Sequence, residues 1–477
     1  MSLIYNMAEN DENHPPPLHS LVEPEEDDEL APFSAVLGVL RLDAVPKAAS
    51  ELWSNQYPHD LLLHPPLVGA PLHGSFNILF PVEFGSQGVS WLLKVPINGT
   101  PTHWDAVSAD QLASEAWTMR LIRQRTSIPI PEVFGFCNTL DNPLGCPHMW
   151  LSFIPGISLH EFWFAQAEDV PDEERRRRRT GVLRDIAAAM VQLGQFSFDM
   201  GGRLLFNDAG SPSGIGPHRE MDHNESFQRR MQDEPDYMPV YYPSGPFKTA
   251  TEFFTAAISR EPPPDSDYFL GQRRLLEFLI NCATDFFAAA DASPFTLAHP
   301  DFGFQYILVS PDGRLAGIID WEGVAAVPAC LGNLRYPSWL TRDWDPSMYG
   351  YGSDGALADP QMQEDSPQTL ARCRKVYQDA IRDALGEKGS LADGKPDLTS
   401  GSLITENLAI AAGDLGNRGG ILRKIVKEIA AVVKVPCDDE EFLCMELRNA
   451  WAQGRVDKET RQALKSGLEK LLLNKSL

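Results

Sequence analysis

The chain has 477 residues, 43% of them hydrophobic and 22% charged, the composition of a globular protein too long for one simple core. Lys plus Arg number 41 against 66 for Asp plus Glu, a formal charge of −25. That balance argues against the broad basic surfaces that grip nucleic acid and leaves cationic partners open.

Residues 1–32 carry Glu9, Asp11, Glu12, Glu23, Glu25, Glu26, Asp27, Asp28 and Glu29, no Lys or Arg, and the run Pro15-Pro16-Pro17. This pattern predicts a disordered acidic tail. Without a basic start followed by an apolar stretch, it does not read as a secretory signal. No apolar run is long enough to predict a membrane span. The seven cysteines are scattered without C-x-x-C spacing, which predicts buried reduced thiols and a cytoplasmic setting rather than disulfides or a zinc site.

Residues 33–154 read as an N-terminal lobe. Roughly 33–64 are expected to be helical, with Leu37, Leu40, Leu52 and Trp53 in the core. Short strands follow from Leu67 to about Phe84, then a strand over Ser90–Ile97 and a helix over Asp105–Arg125. "PEVFGF" and "HMWLSFIPG" give two further strands. Such a segment predicts a small sheet with one helix across a face.

Residues 155–477 read as mainly helical. Leu183, Ile186, Met190 and Leu193 recur at helical spacing, and helical composition returns near 250–260, 268–290, 368–385, 402–413, 420–434, 438–453 and 457–473. Stretches 207–248 and 341–367 are expected to be long loops. Arg175–Arg179 follow Glu173 and Glu174 and read as a solvated helix start. The aromatics Trp339, Trp344, Tyr349 and Tyr351 suit either a cleft or lobe packing. Inside this half, "YILVS" and "RLAGIID" flank Pro311-Asp312-Gly313, which predicts a hairpin.

The chemistry concentrates in "LAHPDFGFQYILVSPDGRLAGIIDWEGV", Leu297–Val324. His299 and Asp301 precede the hairpin; Asp320 and Glu322 follow it. Carboxylates delivered by one rigid hairpin suit a hydroxyl-activating base and a divalent-metal site, the two parts phosphoryl transfer needs. On the helix after the Lys94 strand, Glu115 falls within the stripe Leu112, Ala116, Met119 and Ile122. A carboxylate there is costly unless paired, and Lys94 is its natural partner.

This pattern, H-x-D, a metal-binding position five residues on, then I-I-D-W-E, resembles the aminoglycoside phosphotransferase family, which has many fungal members. The resemblance covers about residues 65–345. It implies an α+β, bilobal protein-kinase-like fold: a small antiparallel-sheet N-lobe with one main helix, and a larger, mostly helical C-lobe carrying a catalytic hairpin. It further implies an O-phosphotransferase using ATP and Mg²⁺ on a small-molecule hydroxyl. Asp301 would orient or deprotonate that hydroxyl and His299 would brace the loop. Lys94 and Glu115 would form the nucleotide-contacting pair, Gly74 and Ser75 would cover phosphate, and the Ser152, Phe153 and Ile154 backbone would meet adenine. Asp320 would bind the metal, with Glu322 and Gln305 as further ligands. The expected partners are nucleotide and small molecule, without nucleic acid or membrane. The sequence departs from the family where Tyr306 stands at the metal-binding asparagine. The alternative is therefore a catalytically impaired, pseudokinase-type nucleotide-binding or regulatory module.

Overall fold

Alternation of apolar side chains builds the first lobe. The protein is seen in a computed structural model that describes residues 30–85, 88–164, 171–222, 225, 229, 238–288, 294–352, 355–359, 361–386, 396–434 and 440–473. The acidic tail up to residue 29 lies outside the described residues. A 3-10 turn over Ala31–Phe33 buries Phe33. Helices α1 (Ser34–Val39) and α2 (Val45–Gln56) follow. Leu40 and Trp53 are buried, while Leu37 and Leu52 are half-buried. Helix α2 stops well short of residue 64, because Pro58 pushes Tyr57 out of the helical region, to φ −128°.

Strands β1 (Leu67–Val68), β2 (Leu72–His73), β3 (Asn77–Phe84) and β4 (Val89–Pro96) precede helix α3 (Ala106–Arg125), which Asp105 caps by accepting from the Ser108 amide. Strands β5 (Val133–Cys137) and β6 (His148–Ser152) complete an antiparallel sheet of order β1-β3-β4-β6-β5, with β2 beside β3. In β4, Trp91, Leu93 and Val95 point into a core with α2, where Trp91 stacks on Phe134 at 4.1 Å and Trp53 on Phe84 at 4.5 Å. The period-two alternation of a strand therefore turns Leu92 and Lys94 to the opposite face.

The second lobe begins with β7 (Ile157–Ser158), α4 (Leu159–Phe164) and α5 (Asp172–Val191). Leu183, Ile186, Met190 and Leu193 are all buried in its core. Most of the arginine run is solvated as predicted: Arg177 and Arg178 both pair with Glu174. Arg179 instead turns inward, donating to Asp365 at 2.8 Å and lying 4.5 Å over the Trp163 ring.

The stretch 207–248 departs from the expected loop. After β8 (Ser197–Phe198), β9 (Arg203–Phe206) pairs with β10 (Pro212–Gly216), and β11 (His218–Met221) with β12 (Tyr241–Ser244). Two-stranded ribbons leave edges that tolerate Pro and Gly, which hid them in the composition. Helices α6 (Ala250–Arg260) and α7 (Asp267–Ala288) lead to β13 (Phe295–Ala298) and to the hairpin of β14 (Ile307–Val309) and β15 (Leu315–Ile318). Gly313 closes that hairpin at φ +78°, and a Cβ there would stand 2.5 Å from the Phe162 ring. Strand β16 (Ala325–Pro328) pairs back with β13. Helices α8 (Pro367–Leu385), α9 (Leu398–Gly413), α10 (Leu415–Val433), α11 (Glu440–Ala452) and α12 (Lys458–Leu473) finish the lobe. Among its described residues, stretch 341–367 is loop apart from a 3-10 turn, Arg342–Trp344, a single bridge between Tyr351 and Leu357, and Pro367, which opens α8. The architecture is α+β and bilobal, and no helix among the described residues is long and apolar enough to cross a membrane.

Candidate active site

Strand β4 delivers Lys94 to the face opposite the α2 core, and α3 brings Glu115 to meet it. The Lys94 Nζ lies 2.9 Å from Glu115 Oε1, with both side chains buried, so the polar position on an apolar helix stripe has its partner. Asp320 Oδ1 and Glu322 Oε2 from the other lobe each stand 3.5 Å from the same ammonium. Burial pulls the Lys94 pKa down, but the three carboxylates outweigh it and hold the ammonium charged. Burial lifts Glu115 to about 7 against the pull of Lys94, helped by Glu322 and Asp320. Three carboxyl groups thus face one ammonium.

A cleft of about 1330 Å³ opens beside this cluster. Gly74 and Ser75, Lys94 and Glu115, Ser152, Phe153 and Ile154, Gln305, Tyr306 and Asp320 all line it. Its remaining wall includes His160 and Phe164 of α4 with Phe304, whose rings lie 5.1–5.8 Å apart. Of the aromatics that suited either a cleft or lobe packing, Trp339 and Trp344 are core residues. Trp339 reaches the cleft only by stacking behind Phe304, at 4.4 Å.

Asp320 has φ +59°, a left-handed conformation that a non-glycine side chain adopts at a cost. The turn aims its carboxylate at both Lys94 and the cleft. Directly before it, the Ile319 carbonyl lies 2.9 Å from His299 Nε2, so the neutral ring carries its proton on that nitrogen. His299 is buried against Trp321, ring to ring at 4.7 Å, and braces the loop against the hairpin. Arg335, which the sequence reading passed over, donates to the His299 carbonyl at 2.8 Å and pairs with Glu406 of α9.

Burial holds His299 at about 4. Because this folded-state value lies below the ordinary imidazole value of 6.5, the unfolded chain binds the extra proton between pH 6.5 and 4, and stability falls as pH drops through that window. From pH 7 to pH 5 the expected loss through this residue is about 2 kcal/mol. Urea denaturation of wild type and His299→Gln at both pH values checks it; equal pH slopes in the two proteins would contradict it.

Asp301 reaches solvent, yet burial of its inner side raises its pKa above the usual carboxylate range, with Asp320 adding to the rise and Arg335 and the Tyr306 hydroxyl opposing it. The Tyr306 phenol donates to that carboxylate, and Gln305 Nε2 lies 3.5 Å from Asp301 Oδ2. Strand alternation would have sent Gln305 and Tyr306 to opposite faces. They sit instead on a 3-10 turn, Phe304–Tyr306, and β14 starts only at Ile307, so both side chains face the cleft.

Glu322 departs from its expected place as a metal ligand. It is absent from the cleft lining, and both its oxygens are taken: Asn77 Nδ2 donates at 2.7 Å and Arg219 at 3.3 Å. Sequence reasoning missed both donors. Asn77 follows Phe76 at the start of β3, and Arg219 lay in a stretch read as loop. Among the described residues no group of three or more His, Cys, Asp or Glu is arranged to hold a metal ion. The donors at the cleft still suit Mg²⁺, which binds through one or two carboxylates and completes its shell with phosphate and water: Asp320 supplies the carboxylate, and the Gln305 amide lines the same cleft. Cys137, Cys146, Cys282, Cys330 and Cys373 are free thiols, and Cys437 lies outside the described residues.

A family model, the phosphotransferase enzyme family, matches residues 85–330. A subtelomeric hrmA-associated cluster protein of Aspergillus fumigatus is 23% identical over 319 residues, covering 57% of this chain and 60% of that protein. The mitochondrial altered inheritance of mitochondria protein 9 of Eremothecium gossypii is 23% identical over 133 residues, 28% of this chain and 21% of its own. The chain therefore spans at most about 60% of the length of these relatives. Among solved structures, a thermostable mutant of aminoglycoside phosphotransferase APH(4)-Ia with AMP-PNP and hygromycin B matches at 16% identity and TM-score 0.39, over 85% of this chain and 98% of that one. A choline kinase of Cryptosporidium parvum matches at 11% identity and TM-score 0.40, over 90% and 99%.

Proposed function

The chain belongs to the phosphotransferase enzyme family, and on that ground we propose that it transfers the γ-phosphoryl group of ATP, with Mg²⁺, to a hydroxyl of a small molecule. One observation carries the reading. A buried Lys94–Glu115 pair and a left-handed Asp320 line one interlobe cleft, and Asp301 stands behind its Gln305 wall, 3.5 Å from the Gln305 amide. In this reading Lys94 grips phosphate oxygens, the Gly74-Ser75 backbone covers them, and the Ser152–Ile154 segment meets the base. Asp301 orients and deprotonates the attacking hydroxyl, while His299 keeps the loop in register. Asp320, with Gln305 on the same cleft wall, would hold Mg²⁺, which when bound neutralises phosphate charge. Catalysis by such parts is mostly positioning and electrostatics. A cytoplasmic setting belongs to the proposal and is supported by the free thiols.

Tyr306 favours a second reading, a nucleotide-binding module that does not turn ATP over. Its phenol stands where the family's amide would be, is bulkier, and is hydrogen-bonded to Asp301. Calorimetric ATP binding with and without Mg²⁺, followed by slow hydrolysis assays, separates the two. The active-enzyme reading expects Mg²⁺-dependent binding and turnover that falls roughly a hundredfold or more in Asp320→Asn. Mg²⁺-independent binding without turnover, together with gain of turnover in Tyr306→Asn, would sink it in favour of the second. Absence of nucleotide binding under every condition sinks both.

A further inference from the structure

Glu322 stands two residues after Asp320 in a metal-site position, yet it faces three donors instead of the cleft. We propose that Arg219 is a positioning residue of the nucleotide site: with Asn77 it fixes the Glu322 carboxylate as a second counter-ion of Lys94 rather than as a metal ligand. The inference rests on the nucleotide-binding reading above.

The contacts are specific. Arg219 lies on β11, 103 positions before Glu322, and its side chain is 7% exposed. Its fork divides between the lobes, giving Nη1 to Ser108 Oγ on α3 at 3.0 Å and Nη2 to Glu322 Oε1 at 3.3 Å. The Tyr241 ring of β12 lies 3.7 Å from the guanidinium carbon and fixes its plane. From the other side Asn77 Nδ2 takes Glu322 Oε2 at 2.7 Å, with Lys94 Nζ 3.5 Å from the same oxygen. A divalent ion would need lone pairs that these donors already occupy, and it would sit against two fixed cations.

Charge explains why the residue matters. Lys94 faces three carboxyl groups, Glu115, Asp320 and Glu322, so even with Glu115 partly protonated the cluster is left with excess negative charge where a polyphosphate must bind. Arg219 offsets one of those charges from the small cavity beside Lys94, outside the cleft lining. The ribbon of β11 and β12 is thereby part of the nucleotide site although it touches no nucleotide.

The test is calorimetric ATP binding in Mg²⁺ to the full chain, with circular dichroism to follow folding. Arg219→Met is expected to weaken ATP about tenfold or more, because an unscreened carboxylate then opposes phosphate. Arg219→Lys, which keeps the charge, recovers most of the affinity. The decisive variant is Arg219→Met with Glu322→Gln, which removes both charges and is expected to return affinity to within about threefold of wild type. A ribbon merely loosened by the mutation would show in the circular dichroism and would not regain affinity when the Glu322 charge is removed. Wild-type affinity in Arg219→Met, or no recovery in the double variant, overturns the proposal while leaving ATP binding by the wild type intact. A wild type that binds no ATP overturns the underlying reading, and the proposal with it.

Discussion

Asp301→Asn lowers ATP turnover by about a thousandfold while ATP affinity stays within roughly threefold of wild type. The substitution is nearly isosteric, and the Asn carbonyl can still accept from the Tyr306 hydroxyl and from Gln305, so the loop keeps its geometry. What disappears is the capacity to take a proton. Burial raises the Asp301 pKa above the usual carboxylate range, which makes the group a better base than an exposed aspartate. The pH dependence has a defined sign. The base must be ionised, so wild-type turnover declines as pH falls through the raised pKa, and Asp301→Asn removes this acid limb along with most of the rate. Steady-state hydrolysis between pH 4.5 and 8, with affinity measured in parallel, checks both parts. An unchanged rate would remove Asp301 from the chemistry. A parallel loss of affinity would reassign it to nucleotide binding.

The parts of the site that the sequence made readable were those carried by local periodicity. Lys94 could be placed because "LKV" falls in a strand signal where the family resemblance puts the nucleotide-contacting lysine, and Glu115 because a carboxylate on an apolar helix stripe demands a partner. The hairpin was visible in Pro311-Asp312-Gly313, whose residue types preset the turn. What escaped notice depends on contacts between distant segments. Nothing near Arg219 marks it as the partner of Glu322, because the pairing is made by a ribbon that crosses to α3. Arg335 was missed for the same reason, since its role is to hold a carbonyl 36 residues earlier in the chain. Gln305 and Tyr306 failed differently: the sequence suggested strand alternation, but one 3-10 turn before β14 was enough to bring both to one side.

Lys94→Met should destabilise the protein by about 3–5 kcal/mol, the range for removing one partner of a buried ion pair. The loss arises less from the missing attraction than from what remains: Glu115 is buried beside Glu322 and Asp320, with Arg219 reaching only Glu322. A methionine fills much of the volume but solvates no carboxylate. The effect depends on pH with a sign that follows from Glu115. Its folded-state value of about 7 lies above the ordinary 4.5, so the native state holds the extra proton in that window and stability falls as pH rises through it. Without Lys94 the folded-state value moves higher still, and Lys94→Met loses stability more steeply than wild type between pH 6 and pH 8. Adding Glu115→Gln removes the buried charge. The double variant should therefore recover at least half of the lost stability and lose the extra pH slope. Its ATP affinity should stay low, since the group that meets phosphate is still gone. Urea denaturation at the two pH values and calorimetric ATP binding separate these effects. Equal stability of the single and double variants at pH 8 would show that Glu115 is not the uncompensated charge, and recovery of ATP affinity in the double variant would show that Lys94 acts only as its counter-ion.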